Sequence, residues 1–76
     1  MKNEKLYLAR KRLGMSQNEL AKKLGVSKTT VSNWETGYST PPLERALIVS
    51  RILNKDVSDL FERYAYLFDE KRNNNE

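Results

Sequence analysis

Apolar side chains recur three and four positions apart in the segments that end at Gly14, Gly25 and Gly37. This spacing places them on one face of a helix, and a glycine directly after such a segment favours the left-handed conformation in which many helices end. The inward-facing positions are Leu6, Ala9, Arg10 and Leu13 in the first segment, Leu20, Ala21 and Leu24 in the second, and Val31, Trp34 and Glu35 in the third. The pattern therefore predicts three short helices.

Two serines mark where the second and third helices begin. Ser16 is followed by Glu19 three residues later, which is the pattern of a capping box, and Ser27 precedes the third helix as its cap. Each serine is flanked by the two apolar residues of a hydrophobic staple, Met15 with Leu20 and Val26 with Val31. Because only residues 25–27 separate the two helices, we expect a sharp angle between them, as in a helix-turn-helix.

A fourth helix is predicted after the loop that contains the two prolines. Thr40 or Ser39 can cap this helix, since proline is tolerated in the first turn, and Asn54 is a plausible end. The predicted buried stripe of the fourth helix is Leu43, Ala46, Leu47, Val49 and Leu53.

A fifth helix is predicted to begin after Asp56 or Ser58 and to be longer than closing the domain requires. It displays along one side Val57, Leu60, Phe61, Tyr64, Leu67 and Phe68. The terminal KRNNNE has nothing to bury and is expected to fray. The predicted fold is all-α, a compact five-helix bundle with an extended C-terminal helix. Residues 1–62 would form the domain, and residues 63–76 a helical extension with a polar tail.

The charge of the chain is uneven and indicates a polyanionic partner. Residues 1–40 hold eight Lys or Arg and three Glu, whereas residues 41–76 hold six basic and seven acidic residues, within a total net charge of +4. A basic half of this kind favours nucleic acid or a membrane surface, and solvated lysines are the alternative. The chain has no cysteine and no apolar run of membrane-spanning length, so a cytoplasmic protein without disulfides is expected.

The residue inventory argues against an enzyme. The sequence contains no His or Cys, and its three glycines are all placed at helix ends, so no phosphate-cradling loop remains. Asp56, Asp59 and Glu62 suggest a metal site, but acidic residues are favoured in the first turn of any helix. We therefore expect no catalysis, no cofactor, no metal and no small-molecule ligand.

The third helix carries an unusual outward surface. With Val31, Trp34 and Glu35 turned inward, the exposed arc consists of Lys28, Thr29, Ser32, Asn33 and Thr36. Such short hydroxyl and amide side chains are poor helix formers, but they can hydrogen-bond the edges of bases. Asparagine can pair with adenine, lysine can donate to guanine, and threonine can offer a methyl group to thymine.

The segment RKRLGMSQNELAKKLGVSKTTVSNWETG, with the prolines after it and LNKDVSDLF further on, resembles the phage-repressor and Cro-like (Xre-like) helix-turn-helix family over residues 5–61. The resemblance implies a lambda-repressor-like fold in which the third helix enters the DNA major groove and the start of the second helix meets the backbone. Base contacts are then expected from Lys28, Thr29, Ser32 and Asn33. Phosphate contacts are expected from Gln17, Thr30, Thr36, Tyr38 and Ser39.

The resemblance also separates structural positions from functional ones. Arg10 and Glu35 are expected to form a partly buried ion pair, and Trp34 is expected to belong to the core. The loop at residues 38–43 departs from many relatives because it contains no Lys or Arg. Phosphate binding there would have to come from backbone amides, hydroxyls or Tyr38.

The aromatic residues near the C-terminus indicate a protein partner. A domain of this size cannot bury all of them, and exposed aromatic patches usually mark an interface. We expect homodimerisation, with the alternative that Tyr64 and Phe68 fold back onto the first helix. The dimerisation residues would be Phe61, Tyr64, Leu67 and Phe68.

The function expected from these features is sequence-specific regulation of transcription on double-stranded DNA. Relatives bind two half-sites as symmetric dimers, so the operator should be palindromic. A short chain without an obvious effector domain favours repression, with an antirepressor or polymerase as a possible further partner. The alternative is a protein-interaction module, antitoxin-like or coactivator-like, that uses the same scaffold.

Overall fold

Five α-helices and one 3₁₀ helix follow one another in the computed structural model, which describes residues 2–68. The helices are α1 (Glu4–Arg12), α2 (Gln17–Leu24), α3 (Lys28–Thr36), α4 (Leu43–Leu53) and α5 (Val57–Leu60), and the 3₁₀ helix is Glu62–Phe68. No strand occurs within the described residues. The all-α fold predicted from the sequence is confirmed.

The predicted starts of α2 and α3 are confirmed by their caps. Ser16 Oγ accepts a hydrogen bond of 3.0 Å from the Glu19 amide, and Glu19 Oε1 accepts one of 2.8 Å from the Ser16 amide. Ser27 Oγ accepts from the Thr30 amide at 3.1 Å. These bonds satisfy donors that every helix start otherwise leaves without a partner.

The core lies where the inward faces of the five helices meet. The side chains of Leu6, Leu20, Val31, Ala46 and Val49 are fully buried. They are joined by Ala9, Ala21, Leu24, Trp34, Leu53, Val57, Leu60, Phe61 and Tyr64. Trp34 is therefore a core residue, as predicted. Removing this much apolar surface from water is the main force that holds the short helices together.

The predictions for α4 were partly wrong. The residue that caps α4 is Pro42, which makes no side-chain capping bond, and neither Thr40 nor Ser39 takes that role. A residue before proline is disfavoured in the helical region, so Thr40 and Pro41 stay outside and the helix begins at Leu43.

The buried stripes of α1 and α4 are also narrower than predicted. The buried residues of α4 are Ala46, Val49 and Leu53. Leu47 follows Ala46 directly, so its side chain is rotated by about 100° around the helix axis and points away from the core. Leu47 is consequently 43% exposed rather than buried. Leu13 is 49% exposed for a different reason, because it is the C-cap that follows the last residue of α1.

The predicted continuous fifth helix is wrong. α5 ends at Leu60, and Phe61 has an extended backbone with φ −134° and ψ 109° before the 3₁₀ helix starts. This break turns Phe61 and Tyr64 inward, where Tyr64 Oη donates a hydrogen bond of 2.8 Å to the Pro41 carbonyl. Residues 69–76, including the polar tail, lie outside the described residues, and the division of the chain after residue 62 stays a prediction.

Candidate nucleic-acid interface

The joint between α2 and α3 is fixed by local and tertiary hydrogen bonds. Gly25 adopts a left-handed conformation with φ +73°, and the Val26 amide donates to the Ala21 carbonyl at 3.0 Å. From α4, Arg45 Nη1 donates to the Leu24 carbonyl at 2.6 Å. The end of α2 is thus held from two directions, and α3 leaves it at a defined angle.

α3 is anchored along its inward face. Val31 is fully buried, Trp34 is 4% exposed and Glu35 is 1% exposed. Because these residues fall on one side of the helix, the opposite side must face solvent.

The outward face of α3 contains the residues that the sequence predicted for base contact. Lys28 and Thr29 are exposed, and Ser32 and Asn33 are partly exposed. Within residues 2–68 none of these four side chains makes a hydrogen bond to another protein group, so their donors and acceptors are available to a ligand. Thr30, in contrast, shares a hydrogen bond of 3.0 Å with the cap Ser27.

Arg10 and Glu35 form a buried ion pair behind this face. Arg10 Nε lies 2.6 Å from Glu35 Oε2, and Arg10 Nη2 lies 3.0 Å from Glu35 Oε1. Arg10 Nη1 donates to the Met15 carbonyl at 2.7 Å, and the Tyr7 ring centre is 5.4 Å from Arg10 Cζ. The hydrogen bond to Glu35 raises the pKa of Arg10 against the opposing effect of burial. The guanidinium therefore stays charged and binds Glu35 in a two-pronged geometry.

Gln17 occupies a more constrained position than the sequence suggested. It is the first residue of α2 and is partly exposed, but its side-chain Nε2 donates to Glu35 Oε1 at 3.0 Å. One Nε2 proton is therefore used inside the protein, and the other remains for a phosphate. The free backbone amides of the first helical turn also favour an anion there.

The loop after α3 is open to solvent. Tyr38 is 82% exposed, and Thr36, Ser39 and Thr40 are exposed as well. The Ser39 amide donates to the Asn33 carbonyl at 3.2 Å, and Thr36 Oγ1 donates to the same carbonyl at 3.3 Å. The predicted phosphate-contacting residues of the loop thus lie beside the end of α3.

Asn3 is a residue that the sequence reasoning missed. Its Oδ1 caps α1 by accepting from the Leu6 amide at 3.0 Å, and its Nδ2 donates to the Leu60 carbonyl at 2.8 Å. Its backbone amide donates to the Glu35 carbonyl at 3.0 Å. Asn3 therefore joins the N-terminal segment to both α5 and α3. An asparagine just before a helical pattern is a known capping signal, but the other two bonds have no local signature.

The predicted dimerisation residues do not form one exposed patch. Phe61 is 2% and Tyr64 7% exposed, so the expectation that they are available to a partner is wrong. Leu67 is partly buried against the core, and Tyr66 is 50% exposed. The side chain of Phe68 lies outside the described part of the chain.

No group of three or more acidic, histidine or cysteine residues in the described part of the chain is placed to hold a metal ion. Among residues 2–68, no helix combines the length and the apolar character needed to cross a membrane.

α3 presents a polar outward face, is held from behind by the Arg10–Glu35 ion pair and follows α2 after a short turn at Gly25. This arrangement defines a helix-turn-helix DNA-binding domain. The helix-turn-helix family model matches residues 6–60. The chain belongs to this family of Xre/Cro-like helix-turn-helix proteins, which are DNA-binding regulators of transcription.

Three relatives illustrate the family. The chain is 42% identical over 52 residues to an uncharacterised HTH-type transcriptional regulator of Archaeoglobus fulgidus, covering 68% of this chain and 74% of the relative. It is 36% identical over 62 residues to another such regulator of the same organism, covering 82% and 80%. It is 34% identical over 58 residues to the HTH-type transcriptional activator BcrR of Enterococcus faecalis, covering 76% of this chain but only 28% of that protein. No solved structure matches the chain.

Proposed function

We propose that this protein is a sequence-specific repressor of transcription that reads a palindromic operator by placing α3 in the DNA major groove. The observation that carries the proposal is the outward face of α3, where Lys28, Thr29, Ser32 and Asn33 have no side-chain hydrogen bond to residues 2–68. The major groove offers each base pair a distinct set of donors, acceptors and methyl groups.

The chemistry of this face favours DNA over a protein partner. Protein interfaces are enriched at their centre in aromatic and apolar side chains. The outward face of α3 instead presents an ammonium, a carboxamide and hydroxyls, and α3 contains only one acidic residue, Glu35, which is buried and paired. A protein-interaction module remains the second candidate, with α3 then dispensable for binding.

The phosphate contacts would orient α3 in the groove. Gln17 with the first turn of α2 would hold one phosphate, and the loop after α3 would hold another from its far end. Contacts of this kind fix the register of a protein on DNA without reading sequence. The candidate phosphate-contacting residues are Gln17, Thr30, Thr36, Tyr38 and Ser39.

Repression is favoured because it requires only the surface described here. A domain bound over a promoter excludes polymerase, whereas activation requires a second contact with the transcription machinery. A dimer would place two copies of α3 about 34 Å apart, one helical turn of DNA. Among the large apolar residues of the described C-terminal segment, Tyr66 is exposed and Leu67 partly exposed, so these two could take part in such a contact.

Selection of bound sequences from a random DNA pool tests the proposal. We expect one half-site motif that recurs as an inverted pair, and transcription in vitro should fall when the site overlaps a promoter. The matched control is a variant with Thr29→Ala, Ser32→Ala and Asn33→Ala, which should keep the fold and enrich no motif. Enrichment of the same motif by the control variant would contradict base reading by α3, and no enrichment by either protein would favour the protein-interaction module.

A further inference from the structure

The loop after α3 lacks a cation of its own. Residues 37–43 contain no Lys or Arg, although Tyr38, Ser39 and Thr40 are all exposed beside the end of α3. If this loop meets the DNA backbone, as proposed above, hydroxyls and backbone amides alone would face a phosphate. Neutral donors give weaker hydrogen bonds to phosphate than charged ones.

The N-terminal segment is held at the last turn of α3, directly before this loop. Asn3 donates from its backbone amide to the Glu35 carbonyl at 3.0 Å and from Nδ2 to the Leu60 carbonyl at 2.8 Å. Its Oδ1 accepts from the Leu6 amide at 3.0 Å. Lys2 is therefore attached to a residue that is held on three sides, next to the last turn of α3.

The aliphatic stem of Lys2 lies across Gly37. A Cβ placed on Gly37 would overlap Lys2 Cβ and would lie 2.9 Å from Lys2 Cγ and 3.6 Å from Lys2 Cδ. Glycine thus provides both the left-handed backbone, with φ +82°, and the space for the lysine stem. The stem therefore lies at Gly37, between Thr36 and Tyr38, which are two of the residues expected to contact the DNA backbone.

The Lys2 side chain is not neutralised within the described structure. It is exposed, and the ion pair between Arg10 and Glu35 is the one found among residues 2–68. The groove that Lys2 lines also contains Ser39 and Thr40 of the loop, and its other charged lining residues are Glu4, Lys5, Asp59, Glu62 and Arg63.

We propose that Lys2 supplies the phosphate-binding cation that the loop after α3 does not contain. This inference rests on the proposed DNA-binding function and adds to it a residue far from the helix-turn-helix in sequence. The contact would join the ammonium of Lys2, whose aliphatic stem lies across Gly37, to a DNA backbone phosphate at the end of α3. The competing explanation is that Lys2 only offsets the negative end of the α3 dipole.

The experiment measures how DNA affinity depends on salt. The full chain with any tag at its C-terminus is titrated with the selected operator duplex from about 50 to about 200 mM KCl. The variants are Lys2→Gln, Lys2→Arg and Lys55→Gln. Lys55 is an exposed matched control, because its replacement removes the same charge and it lies in a pocket with Leu8 and Arg12 of α1 rather than with α3.

Loss of one phosphate contact should make the negative slope of log K against log salt shallower by about 0.9 and weaken binding roughly five-fold at about 0.15 M salt. We expect this for Lys2→Gln, with Lys2→Arg and Lys55→Gln close to the original protein. A neutral methylphosphonate is also introduced at each backbone position of the duplex in turn. At one position it should weaken DNA binding by the unsubstituted protein but leave binding by Lys2→Gln unchanged.

The outcomes separate the two proposals. If the unsubstituted protein binds DNA and Lys2→Gln shows the same slope of log K against log salt, the role of Lys2 is overturned and the proposed DNA-binding function is not. A lower melting temperature for Lys2→Gln with an unchanged slope would assign Lys2 to the α3 dipole and also overturn it. Equal changes in Lys2→Gln and Lys55→Gln would reduce the effect to net charge. If the unsubstituted protein selects and binds no DNA, both proposals are overturned.

Discussion

Gln17 Nε2 donates a hydrogen bond of 3.0 Å to Glu35 Oε1, and this bond joins the first turn of α2 to the last turn of α3. The same carboxylate binds Arg10 of α1, which is 5% exposed. α2 and α3 are therefore linked twice. Gly25 joins the end of α2 to the start of α3, and Glu35 joins the end of α3 to the start of α2. Gln17, which is expected to contact the DNA backbone, and α3, which is expected to read bases, are therefore held together by a side chain that is itself buried.

Replacement of Glu35 by Gln should destabilise the fold strongly. The change keeps the size of the side chain but leaves the buried Arg10 charge without its partner, which costs about 3–5 kcal/mol. Urea unfolding followed by circular dichroism measures the loss. Glu44→Gln, an exposed residue in the first turn of α4, is the control and should change stability by less than about 1 kcal/mol. A similar small effect at Glu35 would show that the ion pair is not buried as described.

Replacement of Asn33 by Ala should weaken binding to the selected operator by about 1–3 kcal/mol and affect random DNA much less. The reason is that a carboxamide can make two hydrogen bonds to adenine, whereas phosphate contacts do not depend on sequence. Fluorescence anisotropy with both duplexes measures the difference. The melting temperature should stay the same, because the Asn33 side chain has no hydrogen-bond partner in residues 2–68. Equal losses on both duplexes would contradict base reading.

Replacement of Gly37 by Ala should cost more stability than the same change at Gly25. Both glycines have positive φ, +82° and +73°, so alanine is strained at each by roughly 1–2 kcal/mol. Only Gly37 has a side chain, that of Lys2, within 4 Å of the added methyl group. Thermal unfolding compares the two variants. With Lys2→Gly in the background, the extra cost at position 37 should disappear, and its persistence would contradict the contact with Lys2.

Replacement of Tyr64 by Phe should lower the free energy of unfolding by about 1–1.5 kcal/mol. The change removes the hydroxyl that donates to the Pro41 carbonyl and leaves this buried acceptor without its partner. Tyr66→Phe is the matched control, since Tyr66 is 50% exposed and should have almost no effect. If the two variants behaved alike, the C-terminal segment would not be folded back onto the loop before α4.

The helix-turn-helix itself could be predicted from the sequence because its signals are local. Ser16 and Glu19 are three residues apart and cap each other, and Gly25 ends α2 where the pattern of apolar residues stops. The outward face of α3 follows from the same periodicity, because burial of Val31 and Trp34 fixes which side chains face solvent. The candidate base-reading residues therefore needed no knowledge of the tertiary structure.

The contacts that complete the site could not be predicted in this way. Asn3 reaches Leu60, Gln17 reaches Glu35, and the stem of Lys2 lies on Gly37. The members of each pair are separated in sequence, and no local pattern indicates that one contacts the other.

The sequence by itself determined α2, α3 and the face that α3 turns outward, since capping and helical periodicity act over a few residues. Only the tertiary structure decided that α5 stops at Leu60 and that Phe61 and Tyr64 turn inward. Helical spacing is equally compatible with a continuous exposed helix, and an unpacked helix of that length is marginal in water. The free energy that breaks the helix comes from burying two aromatic rings against distant parts of the chain, with the Tyr64 hydroxyl hydrogen-bonded to the Pro41 carbonyl.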